Sequence, residues 1–230
     1  MRFLCRLEAG RVLARRLEHL RPERGNVVLL AMPRGGIPVG YEVARALGVP
    51  LEVILTRRLE VPGLPASSLG AVSEEGTIVL NAAAIRDHAV APEIVSALAE
   101  AAARDVRHDV GVYRGERPLP RVEGRSVVLV DDGITTGDST RAAARALRKR
   151  GARRIIVAVP VVGPGSIGPV REEVDELVYL QAPAEFIGVG YWYTRRGLSE
   201  DQAVSLLLRA RSEFGEAVPQ HAWVASAGAR

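Results

Sequence analysis

The sequence predicts an α/β fold, a mostly parallel sheet flanked by helices, and three observations predict it. Short apolar runs without polar alternation recur at Asn26–Ala31, Arg125–Val130 and Arg154–Val159, as strands buried on both faces do. Segments of helical spacing lie between them, and strands alternating with helices imply a parallel sheet covered on both sides. The 230 residues are 47% hydrophobic and 25% charged, ordinary for a globular chain and enough to bury one good core. No internal repeat and no linker divides the chain, so a single domain over residues 1–230 is expected.

The elements follow in order. Residues 6–20 carry Leu7, Val12, Leu13, Leu17 and Leu20 near helical spacing, which predicts an amphipathic helix ended by Arg21-Pro22-Glu23-Arg24-Gly25. The strand Asn26–Ala31 runs into Pro33-Arg34-Gly35-Gly36. A helix with Val39, Val43, Ala46 and Leu47 on one face follows, closed by Gly48. Leu51–Thr56 reads as the next strand, Arg57–Ser68 as a mobile loop rich in Pro, Gly and Ser, and Leu69–Leu80 as a hairpin turning at Glu75-Gly76. Pro92–Tyr113 is a long helix with the stripe Ile94, Leu98, Ala102, Val106 and Val110. After Arg125–Val130 come a polar loop and a helix ending near Gly151. Arg154–Val159 is a strand, Val162–Pro169 a Gly/Pro loop and Glu176–Leu180 a short strand. Ser199–Arg211 is the last helix, with Ser199 as its N-cap. Residues 216–230 are small and polar and predict a frayed tail.

Composition removes several function classes. One cysteine, Cys5, excludes a disulfide framework and a cysteine-based metal cluster, and His19, His88, His108 and His221 lack metal-ligand spacing. No stretch of 18 apolar residues and no apolar leader predicts a cytoplasmic protein without a membrane span. The formal charge is +4, yet aromatics are 4% and no basic run is interleaved with them, which argues against a nucleic-acid partner. Among 31 basic residues only Lys149 is lysine; arginine suits phosphate recognition because its planar fork engages two oxygens. Sparse Asn, Gln, Met and Cys beside abundant Arg and Pro point to a thermophilic source.

One segment carries chemistry: Val127-Val128-Leu129-Val130-Asp131-Asp132-Gly133-Ile134-Thr135-Thr136-Gly137-Asp138-Ser139-Thr140. Two carboxylates stand at the carboxyl end of a buried strand, where such sheets open their ligand crevice. The glycine and hydroxyl residues after them lead into a helix, so successive backbone N–H groups and the helix N-terminus can receive a phosphate. The aspartates repel a phosphate and fit sugar hydroxyls or a metal ion instead. No GxxxxGK[ST] exists for a nucleotide P-loop, and Pro164-Gly165-Ser166-Ile167-Gly168 lacks the first glycine of a serine-hydrolase elbow.

The run Val127–Thr140 closely resembles the phosphoribosyl pyrophosphate (PRPP) motif of type I phosphoribosyltransferases, apart from Gly133, where that family usually has an apolar residue. The resemblance extends over about residues 26–195 and is nearest to poorly characterised stand-alone members. It implies a core over about 26–180 and a hood formed by about 181–197 together with the N-terminal helix. It implies that Asp131 and Asp132 hold the ribose hydroxyls and that Thr135, Thr136, Gly137, Asp138, Ser139 and Thr140 wrap the 5′-phosphate. Met32-Pro33-Arg34-Gly35-Gly36 is similar to the family's pyrophosphate loop, and Thr56-Arg57-Arg58 with Pro62-Gly63 to the edge of its closing loop. Arg34, Arg57 and Arg58 are thereby candidate catalytic residues.

The resemblance further implies Mg²⁺ brought with PRPP and bound through Asp131 or Asp132, a nitrogenous acceptor, and a homodimer. In it a nitrogen attacks C1 of the ribose as pyrophosphate leaves. Ala182-Pro183-Ala184-Glu185-Phe186-Ile187-Gly188-Val189-Gly190-Tyr191 resembles the hood of 6-oxopurine transferases, which makes Phe186 a candidate for stacking on a base. Thr135 stands where those enzymes have an aspartate, and Val159-Pro160-Val161-Val162 where they place a lysine, so classical purine specificity is not expected. The alternative is a regulator that uses the same fold to sense PRPP.

Overall fold

The computed structural model describes residues 2–61 and 68–215. Its centre is a five-stranded parallel sheet in the order β2-β1-β6-β7-β8, made of β1 Val27–Ala31, β2 Leu51–Val53, β6 Ser126–Val130, β7 Arg154–Val161 and β8 Glu176–Gln181. Alternate residues of the apolar strands feed two cores. Val27, Leu29, Ala31, Val128, Val130, Ile156 and Ala158 face one side, under α1 Arg6–Arg16, α2 Gly36–Leu47 and α7 Glu200–Phe214; α4 Pro92–Arg114 contributes to the same core from beside α7. Val28, Leu30, Val127, Leu129, Ile155 and Val157 face the other, under α5 Asp138–Lys149 and α6 Pro164–Arg171. Burial on both faces is why these strands read as unbroken apolar runs.

The strand order reverses between β1 and β6. From β1 the chain crosses through α2 to β2 on one side; from β6 it crosses through α5 to β7 and then through α6 to β8 on the other. Such a switch leaves a crevice beyond the carboxyl ends of the two central strands. Beside it stands a second sheet, antiparallel, in the order β3-β4-β5: β3 Thr56–Glu60, β4 Ser68–Ser73 and β5 Ile78–Leu80.

Several sequence expectations hold. Gly48 closes α2 in the left-handed region at φ 68°. The hairpin turns through Gly76 at φ 74°. Ser199 caps α7 in a reciprocal capping box with Gln202.

Others are corrected. The N-terminal helix stops at Arg16, and a 3₁₀ segment over Glu18–Asn26 follows. The expected strand Leu51–Thr56 divides between β2 and β3. Arg57–Glu60, expected in a loop, is strand because Arg57 pairs with Val72 and Arg58 with Ala71 across β4. Residues 62–67 of that expected loop, and the tail 216–230, lie outside the described residues. Val95 rather than Ile94 leads the buried stripe of α4; Ile94 is exposed. The expected Gly/Pro loop over Val162–Pro169 is mostly α6. Pro164 occupies its first turn, where a missing N–H costs nothing. A short helix α3, Ala82–Asp87, was not anticipated; Asn81 Oδ1 accepts from the Ala84 N–H at 3.1 Å to cap it.

Candidate active site

The chain leaves β1 and β6 side by side, with the Met32 N–H donating to the Val130 carbonyl at 2.8 Å. Two glycines let the next segment lie across the end of β6. A Cβ on Gly36 would stand 2.6 Å from the Val130 oxygen, and one on Gly35 would stand 2.2 Å from the Asp132 carboxyl carbon. The intervening Pro33–Arg34 peptide bond is cis. Arg34 is exposed and makes no ion pair among the described residues.

At the end of β6 the Asp132 N–H donates to Asp131 Oδ1 at 2.7 Å. Burial, reinforced by the neighbouring charge of Asp132, holds the Asp131 carboxyl well above the usual carboxylate range. Arg6 Nε donates to Asp132 Oδ2 at 2.6 Å, and the Tyr193 hydroxyl donates to the Asp132 carbonyl at 2.5 Å. The loop then turns through Gly137 at φ 86°, where a Cβ would also meet Val170 at 2.8 Å, and enters α5. Thr136 Oγ1 donates to Asp138 Oδ2 at 2.8 Å. The first amides of α5 have no intrahelical partner and add the positive end of the helix to this loop.

The opposite wall comes from β3 and α4. Thr56, Arg57, Arg58 and Glu60 line it from the strand, and Leu98, Ala101, Ala102 and Asp105 from the helix. Arg57 Nη2 reaches Asp109 Oδ2 at 2.8 Å, and Arg58 Nη2 reaches Glu60 Oε1 at 2.8 Å. The cleft between the two walls, open to solvent, has a volume of about 720 Å³, within the range of small-molecule sites.

Pro33, Arg34, Gly35, Arg57, Arg58, Asp131, Asp132, Thr135, Thr136, Gly137, Asp138, Ser139 and Thr140 all line this one cavity. Two singled-out residues do not. Gly36 sits behind it, at the start of α2 and against Val130. Phe186 packs its ring against Gly163, where a Cβ would stand 3.4 Å from Phe186 Cδ1 and 2.9 Å from the Thr135 carbonyl. It thus lies beyond the cavity lining, beside the Thr135 backbone. Gly133 has a local cause: a Cβ there would meet Val161 at 2.8 Å and Val189 at 2.9 Å. Side chains from the strand β7 and the segment after β8 fill that space instead.

Arg6, Tyr193 and the lining residues of α4 were not anticipated. Arg6 is one of several arginines on α1, and nothing in its local sequence separates it from Arg11 or Arg15. Residues 192–195 pair with Phe3 and Leu4: the Phe3 N–H donates to the Trp192 carbonyl at 2.8 Å and the Thr194 N–H to the Phe3 carbonyl at 2.9 Å. An association of these two segments was expected, but that it brings Arg6 to Asp132 is seen only in the folded chain.

Comparison with known proteins agrees with this geometry. The phosphoribosyl transferase domain family matches residues 7–194. The Mycobacterium tuberculosis H37Rv protein named "Putative phosphoribosyl transferase Rv0571c" is 37% identical over 94% of this chain and 48% of its own length; the chain spans about half the length of such curated relatives. A uracil phosphoribosyltransferase of Lactobacillus gasseri is 32% identical over 40% of this chain and 50% of its own. The crystal structure of TT1426 from Thermus thermophilus superposes with a TM-score of 0.72 at 39% identity, covering 91% of this chain and 99% of that one. Among the described residues no helix is long and apolar enough to cross a membrane. With the crevice at the β1/β6 switch, the acidic pair and the Gly137 turn all within the matched span, the chain belongs to the phosphoribosyl transferase domain family.

Proposed function

We propose that the protein transfers a phosphoribosyl group from PRPP to a nitrogenous base or amine and releases pyrophosphate. The observation that carries this reading is the convergence of three segments far apart in sequence, 33–35, 56–58 and 131–140, on a single cavity. Asp131 and Asp132 accept from the ribose hydroxyls. The Thr135–Thr140 turn and the amides at the start of α5 receive the 5′-phosphate. Arg34, Arg57 and Arg58 face the pyrophosphate. As the C1–oxygen bond breaks and the C1–nitrogen bond forms, negative charge grows on the leaving pyrophosphate, and fixed guanidinium groups stabilise it.

Magnesium fits the donor set. Arg6 takes one oxygen of Asp132 and the Asp132 amide takes one of Asp131, which leaves an oxygen on each for a hydroxyl or a hard cation. No group of three or more His, Cys, Asp or Glu side chains placed to cage a metal occurs among the described residues. Magnesium commonly binds through one or two carboxylates plus substrate phosphates, so it would arrive with PRPP at Asp131 or Asp132 and offset the charge of the pyrophosphate.

Calorimetric titration with PRPP and Mg²⁺ tests the reading. Micromolar, magnesium-dependent binding is expected, followed by pyrophosphate release that depends on an added base. Binding without turnover across a panel of bases would favour PRPP sensing, and no binding would defeat the assignment of the cavity.

A further inference from the structure

We infer that Arg6 is the positioning residue for the ribose, acting through Asp132; the inference rests on the PRPP reading above. Arg6 opens α1, and its guanidinium is held from three sides. Nε donates to Asp132 Oδ2 at 2.6 Å, and the planar group lies over the Tyr193 ring at 4.4 Å from its centroid. Its edge faces Gly197, where a Cβ would stand 3.3 Å from Nη1. Tyr193 is buried and grips the same aspartate from the other end, its hydroxyl donating to the Asp132 carbonyl. Asp132 is thus fixed through both side chain and main chain, with one carboxylate oxygen committed to Arg6 and one left for a ligand.

Electrostatics gives this arrangement a purpose. The Asp132 carboxylate, beside the buried Asp131 carboxyl, faces a ligand that is itself polyanionic, and like charges oppose its entry. Arg6 offsets the charge of Asp132 without approaching the opposite wall, where Arg57 and Arg58 stand. Its effect is therefore confined to the sugar half of the ligand. An arginine that only held the fold together would alter both halves alike.

The test titrates the full chain and its variants with ribose 5-phosphate, inorganic pyrophosphate and PRPP, each with Mg²⁺. Arg6→Ala should weaken ribose 5-phosphate and PRPP about 10- to 100-fold, the scale of a lost charge-assisted hydrogen bond, and leave pyrophosphate within about threefold by the same reasoning. Arg6→Lys should restore part of the sugar affinity, since the charge returns without the planar fork. Tyr193→Phe keeps the ring under Arg6 and removes only the hydroxyl; it should weaken the two sugar ligands less than Arg6→Ala and spare pyrophosphate. It carries the test if Arg6→Ala does not fold. Equal losses for pyrophosphate and ribose 5-phosphate, or no loss for either, would overturn the role of Arg6. A wild-type chain that binds pyrophosphate but neither sugar ligand would overturn the functional reading itself, and this inference with it.

Discussion

Two arginine–aspartate pairs face the cavity, and they are chemically alike and physically different. Arg6 and Asp132 have side chains 13% and 14% exposed, and the arginine is held by a carboxylate, a ring and a neighbouring backbone. Arg57 is 47% exposed, and Asp109 on α4 is its ion-pair partner. A pair sheltered on both sides resists rearrangement because breaking it strands a charge, whereas in the second pair Asp109 is sheltered at 11% exposure but the arginine is half in water, which can take over its side of the bond. The first therefore suits a fixed framework for a sugar. The second suits a guanidinium that moves onto a leaving group and back. A third pair, Arg211 and Glu52, is more buried still: the arginine donates to both carboxylate oxygens and to the Tyr113 carbonyl, fixing α7 to β2.

Breaking the framework side should have the largest effect. Asp131→Asn with Asp132→Asn removes two carboxyl acceptors and should weaken PRPP by roughly 10²- to 10⁴-fold in calorimetry, with the fold retained; unchanged affinity in a folded double variant would refute the site. Asp131→Asn alone should melt higher than wild type at neutral pH. A carboxyl whose folded pKa is raised is most favourable to folding below its unfolded pKa, and that benefit is lost as pH rises through the folded value. The neutral amide removes the cost while still accepting from the Asp132 N–H. A lower melting temperature would contradict this.

For the more buried Arg211–Glu52 pair, Arg211→Met should cost about 3–5 kcal/mol of stability by stranding Glu52, read as a lower thermal midpoint. A midpoint within a degree or two of wild type would mean that water reaches Glu52. On the mobile side, Arg57→Ala should lower kcat by roughly 10²- to 10³-fold while PRPP affinity stays within a few-fold, and Arg58→Ala should act in the same direction. A defect in affinity alone would place these arginines in the framework class. The smallest effect belongs to Tyr113, one turn beyond Asp109 on α4. Burial pushes its hydroxyl up to about 12, and it has no hydrogen-bond partner among the described residues. Tyr113→Phe should leave stability and turnover nearly unchanged; a clear loss of turnover would mean that the hydroxyl receives Asp109 when Arg57 moves away.

The same contrast marks what could be read from the sequence. The segment 127–140 was legible because strand, acids, turn glycine and helix start are consecutive, so local chemistry specifies them together. The parallel strands were legible because burial on both faces leaves no polar alternation. Arg57 and Arg58 were legible as candidates, and they line the cavity, but they were not legible as strand, since their pairing with Val72 and Ala71 is set by β4 and not by their own composition. That Arg6 and Val189 line the cavity and that Tyr193 holds the Asp132 carbonyl was not legible, because their positions depend on contacts across much of the chain. Phe186 shows the converse: an aromatic in a plausible place whose ring packs on Gly163 outside the cavity lining.

The bridge between Phe3 and Tyr193 has a consequence in time. It joins residues 190 apart in sequence, and closing a loop of that length costs on the order of 4–5 kcal/mol in chain entropy. At ribosomal rates of about 5–20 residues per second, Phe3 waits on the order of 10–40 s for the ring of Tyr193 that later covers it. The Tyr193 hydroxyl's hold on the Asp132 carbonyl thus comes late in synthesis, after the last strand of the parallel sheet, ending at Gln181, has been made.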